Sequence, residues 1–137
     1  MKPNNVFLVS CTDTSFYRSW MEFLTPYHRL TAREKDVAAR LLMQYFRFRD
    51  SVPDDGVLQD LLWSTKSRKD MMDSLGMSQA HFQMVLAKLR TAGFLKDGTI
   101  NPRFLPHKMS GEPRFMLQVV FDWSSEKHPI HREKEQA

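Results

Sequence analysis

Gly76, Gly93 and Gly98 divide the stretch from Ser67 to Ile100 into two helix-length apolar stripes and one tight turn. This punctuation limits the possible folds more than any other feature of the chain. Ser67 and Asp70 form a capping-box pattern that opens a helix of about eight residues, stopping at Gly76. Ser78 then caps a longer helix with Phe82, Val85, Leu86 and Leu89 on its buried stripe, and Gly93 closes it. Next comes Phe94-Leu95-Lys96-Asp97-Gly98-Thr99-Ile100, where Asp-Gly between short apolar runs is a strong hairpin signal.

The spacing of apolar residues about Gly76 is specific. Met71, Leu75, Met77, Phe82 and Val85 stand five before, one before, one after, six after and nine after it. Two short helices crossing at a steep angle must both plug a shared core, and the turn between them needs a left-handed residue. This pattern, followed by a hairpin, resembles the winged helix-turn-helix family over about Leu30 to Trp123. The chain departs from the family at Met72, where a small side chain is usual. The resemblance implies a mainly α fold with a small antiparallel sheet (α+β). It also implies duplex DNA as partner, with the second helix of the motif in the major groove. Leu30-Thr31-Ala32-Arg33-Glu34 is similar to the first helix of response-regulator effector domains. Those domains lack this wing, so the similarity is read as shared capping chemistry. The run Leu95 to Pro106 is similar to small phage and mobile-element proteins.

Charge follows the motif. The 137 residues carry 20 Lys and Arg against 16 Asp and Glu, a net +4. Residues 1–63 hold eight basic and eight acidic side chains, whereas 64–114 hold nine basic and four acidic, a net +5. Such a surplus suits modest phosphate binding. On the presumed recognition helix, Ser78, Gln79, His81 and Gln83 are the candidate base-facing residues, since Gln makes bidentate contacts to adenine. Lys66, Arg68, Lys69, Lys88, Lys96 and Arg103 are the candidate phosphate ligands. Solvated surface residues would give the same pattern. Met84 and Ala87 add apolar surface to the same helix, which favours a protein contact or thymine methyl groups. With Phe16, Tyr17 and Trp20 they form a candidate protein interface, serving a partner or a homo-oligomer. Such a module would belong to a larger phage, replication or transcription assembly.

The rest of the chain reads as supporting structure. Val6-Phe7-Leu8-Val9 is expected as a buried strand. Asp13 or Thr14 caps a helix with Phe16, Tyr17, Trp20, Met21, Phe23 and Leu24 on a broad face, more simply core than docking surface, ending at Pro26. Thr31 and Glu34 form a capping box before a helix carrying Val37, Ala38, Leu41, Leu42, Tyr45 and Phe46. Val57, Leu58, Leu61 and Leu62 suggest a further short helix reaching Trp63. Arg114 to Trp123 alternates, with Phe115, Leu117, Val119 and Phe121 on one side of an expected strand, and Trp63 and Trp123 completing the core. The expected organisation is an N-terminal segment over 1–29, a winged domain over 30–123 and a charged tail over 124–137.

Catalytic and cofactor chemistry is not signalled. There is no Gly-rich phosphate loop, nucleophile elbow or zinc helix. His128 and His131 flank Pro129 without further ligands, so neither metal nor cofactor is expected. Asp54-Asp55 reads as a turn and helix cap. Leu8-Val9-Ser10-Cys11 matches a lipoprotein cleavage box, but the apolar run before it is too short for a signal core. A single cysteine excludes an internal disulfide and suits a reduced, cytoplasmic setting. No apolar stretch is long enough to span a bilayer.

Overall fold

The computed structural model describes residues 6–107 and 114–126. The chain divides into two units, Met1–Leu105 and Pro106–Ala137. The first is built of helices α1 (Phe16–Phe23), α2 (Thr25–His28), α3 (Ala32–Arg49), α4 (Asp55–Leu62), α5 (Thr65–Leu75) and α6 (Gln79–Thr91). A two-stranded antiparallel hairpin follows, β1 (Leu95–Lys96) and β2 (Thr99–Ile100), with Leu95 opposite Ile100 and Lys96 opposite Thr99. The class is therefore mainly α with a small sheet. No helix among the described residues is long and apolar enough to cross a membrane.

Helix α3 is the axis of this unit, packing against α1, α4, α5 and α6. Its start is secured by the expected capping box: Thr31 Oγ1 accepts from the Glu34 amide, and Glu34 Oε1 accepts from the Thr31 amide at 3.0 Å. Val37, Ala38, Leu41 and Leu42 are buried on it. They meet Met71 from α5, Phe82, Val85, Leu86 and Leu89 from α6, and Phe94, Leu95 and Ile100 from the hairpin in one core. Phe82 and Phe94 are among its largest fully buried side chains. Truncating a phenylalanine so placed typically costs about 3–5 kcal/mol.

Several local expectations are corrected. The α1 start is set by Thr12 and Ser15, each backbone N–H donating to the other's hydroxyl, and not by Asp13 or Thr14. The aromatic helix does end before Pro26, at Phe23, but Pro26 itself lies in the first turn of the separate short helix α2, where its missing N–H costs nothing. Helix α5 begins two residues before Ser67. Ser64 is its cap, its hydroxyl accepting from the Ser67 amide, while Ser67 itself is buried and accepts from Gln44 Nε2 at 3.2 Å. The hydroxyl expected as a cap is a core contact between α3 and α5.

Neither outer strand forms. Residues 6–9 form no strand and are exposed, Phe7 at 89%, and Cys11 is an exposed free thiol. Along 114–123 there is an isolated bridge residue at Phe115 and no strand, and Trp123 lies exposed at the start of a short 3-10 turn. An alternating sequence supplies a strand's side-chain pattern but does not by itself supply the neighbouring strand that a ladder needs. Trp63 is half-buried against the core. His128, His131 and most of the charged tail lie outside the described residues.

Candidate nucleic-acid interface

The α5–α6 pair is shaped by two glycines acting alike. Gly76 closes α5 at φ +62°, and the Met77 amide donates back to the Met72 carbonyl at 3.0 Å. Gly93 follows α6 at φ +84°, with the Phe94 amide donating to the Leu89 carbonyl at 3.0 Å. Both are Schellman closures, which require a left-handed residue at the bend. The five apolar positions about Gly76 all reach the core: Met71, Met77, Phe82 and Val85 are buried and Leu75 is half-buried. Met72 also packs against it, so its bulk is absorbed at the helix crossing. Arg33, on α3, donates to the Leu75 carbonyl and ties α3 to the bend itself.

The hairpin follows α6 directly. Asp97 and Gly98 hold φ +55° and +78°, the positive pair that a two-residue type I′ turn demands. Its base is locked by Asn101, whose amide donates to the Phe94 carbonyl at 2.8 Å and whose Nδ2 donates to the Gly93 carbonyl at 3.0 Å. Lys96 stands exposed on this short hairpin.

Helix α6 buries Phe82, Val85, Leu86 and Leu89 and leaves the remainder outward. At 3.6 residues per turn, the line directly opposite the buried stripe is Ala80, Met84, Ala87 and Thr91. Gln79 and Gln83 share one flank of that line with Arg90, whereas His81 and Lys88 share the other. The four residues expected to face bases therefore do not form one surface. Ser78 is the N-cap, its hydroxyl accepting from the His81 amide at 3.1 Å. Met84 is 60% exposed at the centre of the outward line, and Ala87 lies beside it.

Of the candidate phosphate ligands, Lys66, Lys69, Lys88, Lys96 and Arg103 are exposed. Arg103 rests over the Phe104 ring, 5.6 Å from its centroid. Arg68 is half-buried, and its Nε is a buried donor with no hydrogen-bond partner. Of the aromatic candidates, Phe16 and Tyr17 are half-buried against the core, Tyr17 stacking on Phe46 at 5.9 Å. Trp20 is buried and donates from Nε1 to the Phe104 carbonyl at 2.8 Å, so it is core and not interface.

Arg40 on α3 escaped the sequence reading, which confined the basic surface to 64–114. Its Nε is also buried without a partner. Desolvation, with Arg47 adding to it, disfavours its charge, and Asp70 offsets part of this. Arginine does not lose its proton in proteins, so the site carries a strained cation rather than a titrating one. The available signal was an arginine inside the apolar run Val37-Ala38-Ala39-Arg40-Leu41-Leu42.

Comparison with protein-family models, with curated proteins and with solved structures finds no match to this chain.

Proposed function

We propose that α3 to β2 form a non-enzymatic winged-helix module that binds duplex DNA, acting as a transcriptional regulator or accessory factor. The observation that carries this reading is the α5–Gly76–α6 bend with its five core-directed apolar residues, followed directly by an Asp-Gly hairpin. In such a module α6 enters the major groove and the wing meets the backbone. Gln79 and Gln83, on one flank of α6, are the base readers. Lys66, Lys69, Lys88 and Lys96 supply phosphate contacts, and Arg68 gains a partner for its buried donor when a phosphate arrives.

Fluorescence anisotropy of a labelled duplex across a salt series tests the reading. Binding should weaken linearly on a log–log plot. Lys69→Glu and Lys96→Glu should each lower the slope by roughly one, the value per phosphate contact. Negligible affinity at low salt, or indifference to both reversals, defeats it.

A second reading is a winged helix that binds protein, favoured by the outward line of Ala80, Met84 and Ala87 where a base reader is usually polar. Met84→Asp separates the two. Under this reading it abolishes partner binding while leaving low-salt DNA affinity negligible, as in the parent chain.

A further inference from the structure

Arg40 and Arg47 have no role in the module above. They stand seven residues apart on α3, two turns along one stripe, with Gln44 between them at one turn from each. Gln44 is buried, and its Nε2 donates to Ser67 Oγ on α5 at 3.2 Å, which sets this stripe against α5. Arg33, seven residues before Arg40, donates to the Leu75 carbonyl at the far end of α5. The two helices therefore run antiparallel. Arg40 falls between these two ties, within the electrostatic reach of Asp70. Arg68 follows Ser67 by one position, which turns it to the opposite flank of α5 from Asp70.

The other two arginines of α3 are engaged. Arg33 also pairs with Asp36, and Arg49 donates to the Pro53 carbonyl and to Asp55. Arg40 and Arg47 hold no side-chain hydrogen bond or ion pair among the described residues. Asp36 lies within helical reach of Arg40, one turn before it, but is taken by Arg18 at 2.9 Å and by Arg33. Burial is the largest charge against Arg40, Arg47 adds to it, and Asp70 offsets only part. A half-buried guanidinium beside a second one, with its neighbouring acid already engaged, is short of a counter-ion. Its charge is delocalised, so an anion at the outer nitrogens compensates a group whose Nε is covered. A phosphate group offers several acceptor oxygens to such forks and can engage two of them at once.

We propose that Arg40 and Arg47 form a phosphate-binding site at the rim of the seam between α3 and α5. It uses no residue of α6 or of the hairpin, and so stands whether or not α6 reads DNA. The phosphate belongs to a nucleic-acid backbone or to a free phosphorylated ligand, which present the same oxygens. Two arginines at a solvent-facing rim give binding of roughly millimolar strength.

The test titrates the full chain with inorganic pyrophosphate, followed by calorimetry and thermal melts, against sodium chloride at matched ionic strength. Pyrophosphate should bind and raise the melting temperature, and chloride should not. Arg40→Gln and Arg47→Gln should each weaken binding about tenfold, and Arg40→Lys, which keeps the charge but loses the fork, should recover only part. Asp70→Asn should strengthen binding about twofold. Arg47 and Asp70 are exposed, so their variants keep the test decisive even where a change at Arg40 unfolds the chain. Duplex DNA that displaces pyrophosphate and weakens in Arg47→Gln identifies the backbone as the source. Retained pyrophosphate binding in excess duplex identifies a free ligand. No binding up to about 10 mM pyrophosphate overturns the proposal. So does an equal effect of chloride, or indifference to Arg47→Gln and Asp70→Asn. Duplex binding through Lys69 and Lys96 is untouched by any of these failures, so the two readings fall separately.

Discussion

The Trp20 indole N–H donates to the Phe104 carbonyl at 2.8 Å, a bond between residues 84 positions apart. It joins the aromatic helix α1 to the turn that follows the hairpin. Phe104 also lies beside Phe94, ring centroids 5.6 Å apart, and beside His28 at 6.2 Å. The carbonyl is thus held where the core closes, and the exit of the hairpin is anchored to α1.

Trp20→Phe keeps most of the ring but orphans that buried carbonyl, and should cost about 1–3 kcal/mol. Trp20→Ala should cost roughly 3–5 kcal/mol. Urea unfolding followed by far-UV circular dichroism checks both. The two variants should differ in midpoint more than in m-value.

His28 makes stability depend on pH. Its Nε2 donates to the Met21 carbonyl at 2.8 Å while Nδ1 accepts from the Leu30 amide at 2.9 Å, an arrangement only the neutral ring can satisfy. Burial is the main cause of its lowered pKa. Because the folded value lies below the unfolded one near 6.5, its contribution is complete above that pH. It is lost as pH falls towards the folded value. Thermal melts of the parent chain from pH 8 to 5 should therefore show a decline that His28→Gln flattens.

Glu22 and Lys35 form a second pH-sensitive contact. Lys35 is buried, and its ammonium donates to Glu22 Oε2 at 2.8 Å and to Thr25 Oγ1 at 3.2 Å. The hydrogen bonds from Lys35 and from Arg18 hold the Glu22 carboxyl down at about 2. Folded below unfolded means stabilisation present above about 4.5 and lost as pH falls towards 2. Glu22→Gln should lower the melting temperature at pH 7 and lose most of that difference at pH 2.

Gly76 is expected to tolerate bulk but not the wrong backbone. An added Cβ meets nothing within 4 Å, so the cost is set by φ +62° alone. Gly76→Ala should destabilise by about 1–2 kcal/mol and Gly76→Asn by clearly less, since Asn adopts the left-handed region more readily. Equal losses would point to steric rather than conformational strain.

Arg40→Met should raise the melting temperature of the free protein slightly, because it removes a half-buried cation that desolvation and Arg47 disfavour and Asp70 only partly offsets. Differential scanning fluorimetry reads the sign. If the cation serves phosphate binding, the same variant should weaken DNA at low salt.

Features that depend on neighbours within a few residues were legible in the chain itself. The Thr31–Glu34 box, the Ser78 cap, the left-handed Gly76 and the Asp97-Gly98 turn are local bargains between side chain and backbone, and they hold whatever surrounds them. The apolar spacing about Gly76 was readable for the same reason, since helix geometry alone puts those residues on facing stripes. Residues 6–9 and 114–123 were not legible in this way, because a strand exists only beside another strand and composition cannot name its partner. Burial of Trp20, Ser67 and His28, and the unpaired Nε atoms of Arg40 and Arg68, were decided by which helix crosses which. Local sequence determined the caps, bends and apolar faces. Tertiary packing alone decided which polar groups were enclosed, because desolvation depends on atoms that arrive from distant parts of the chain.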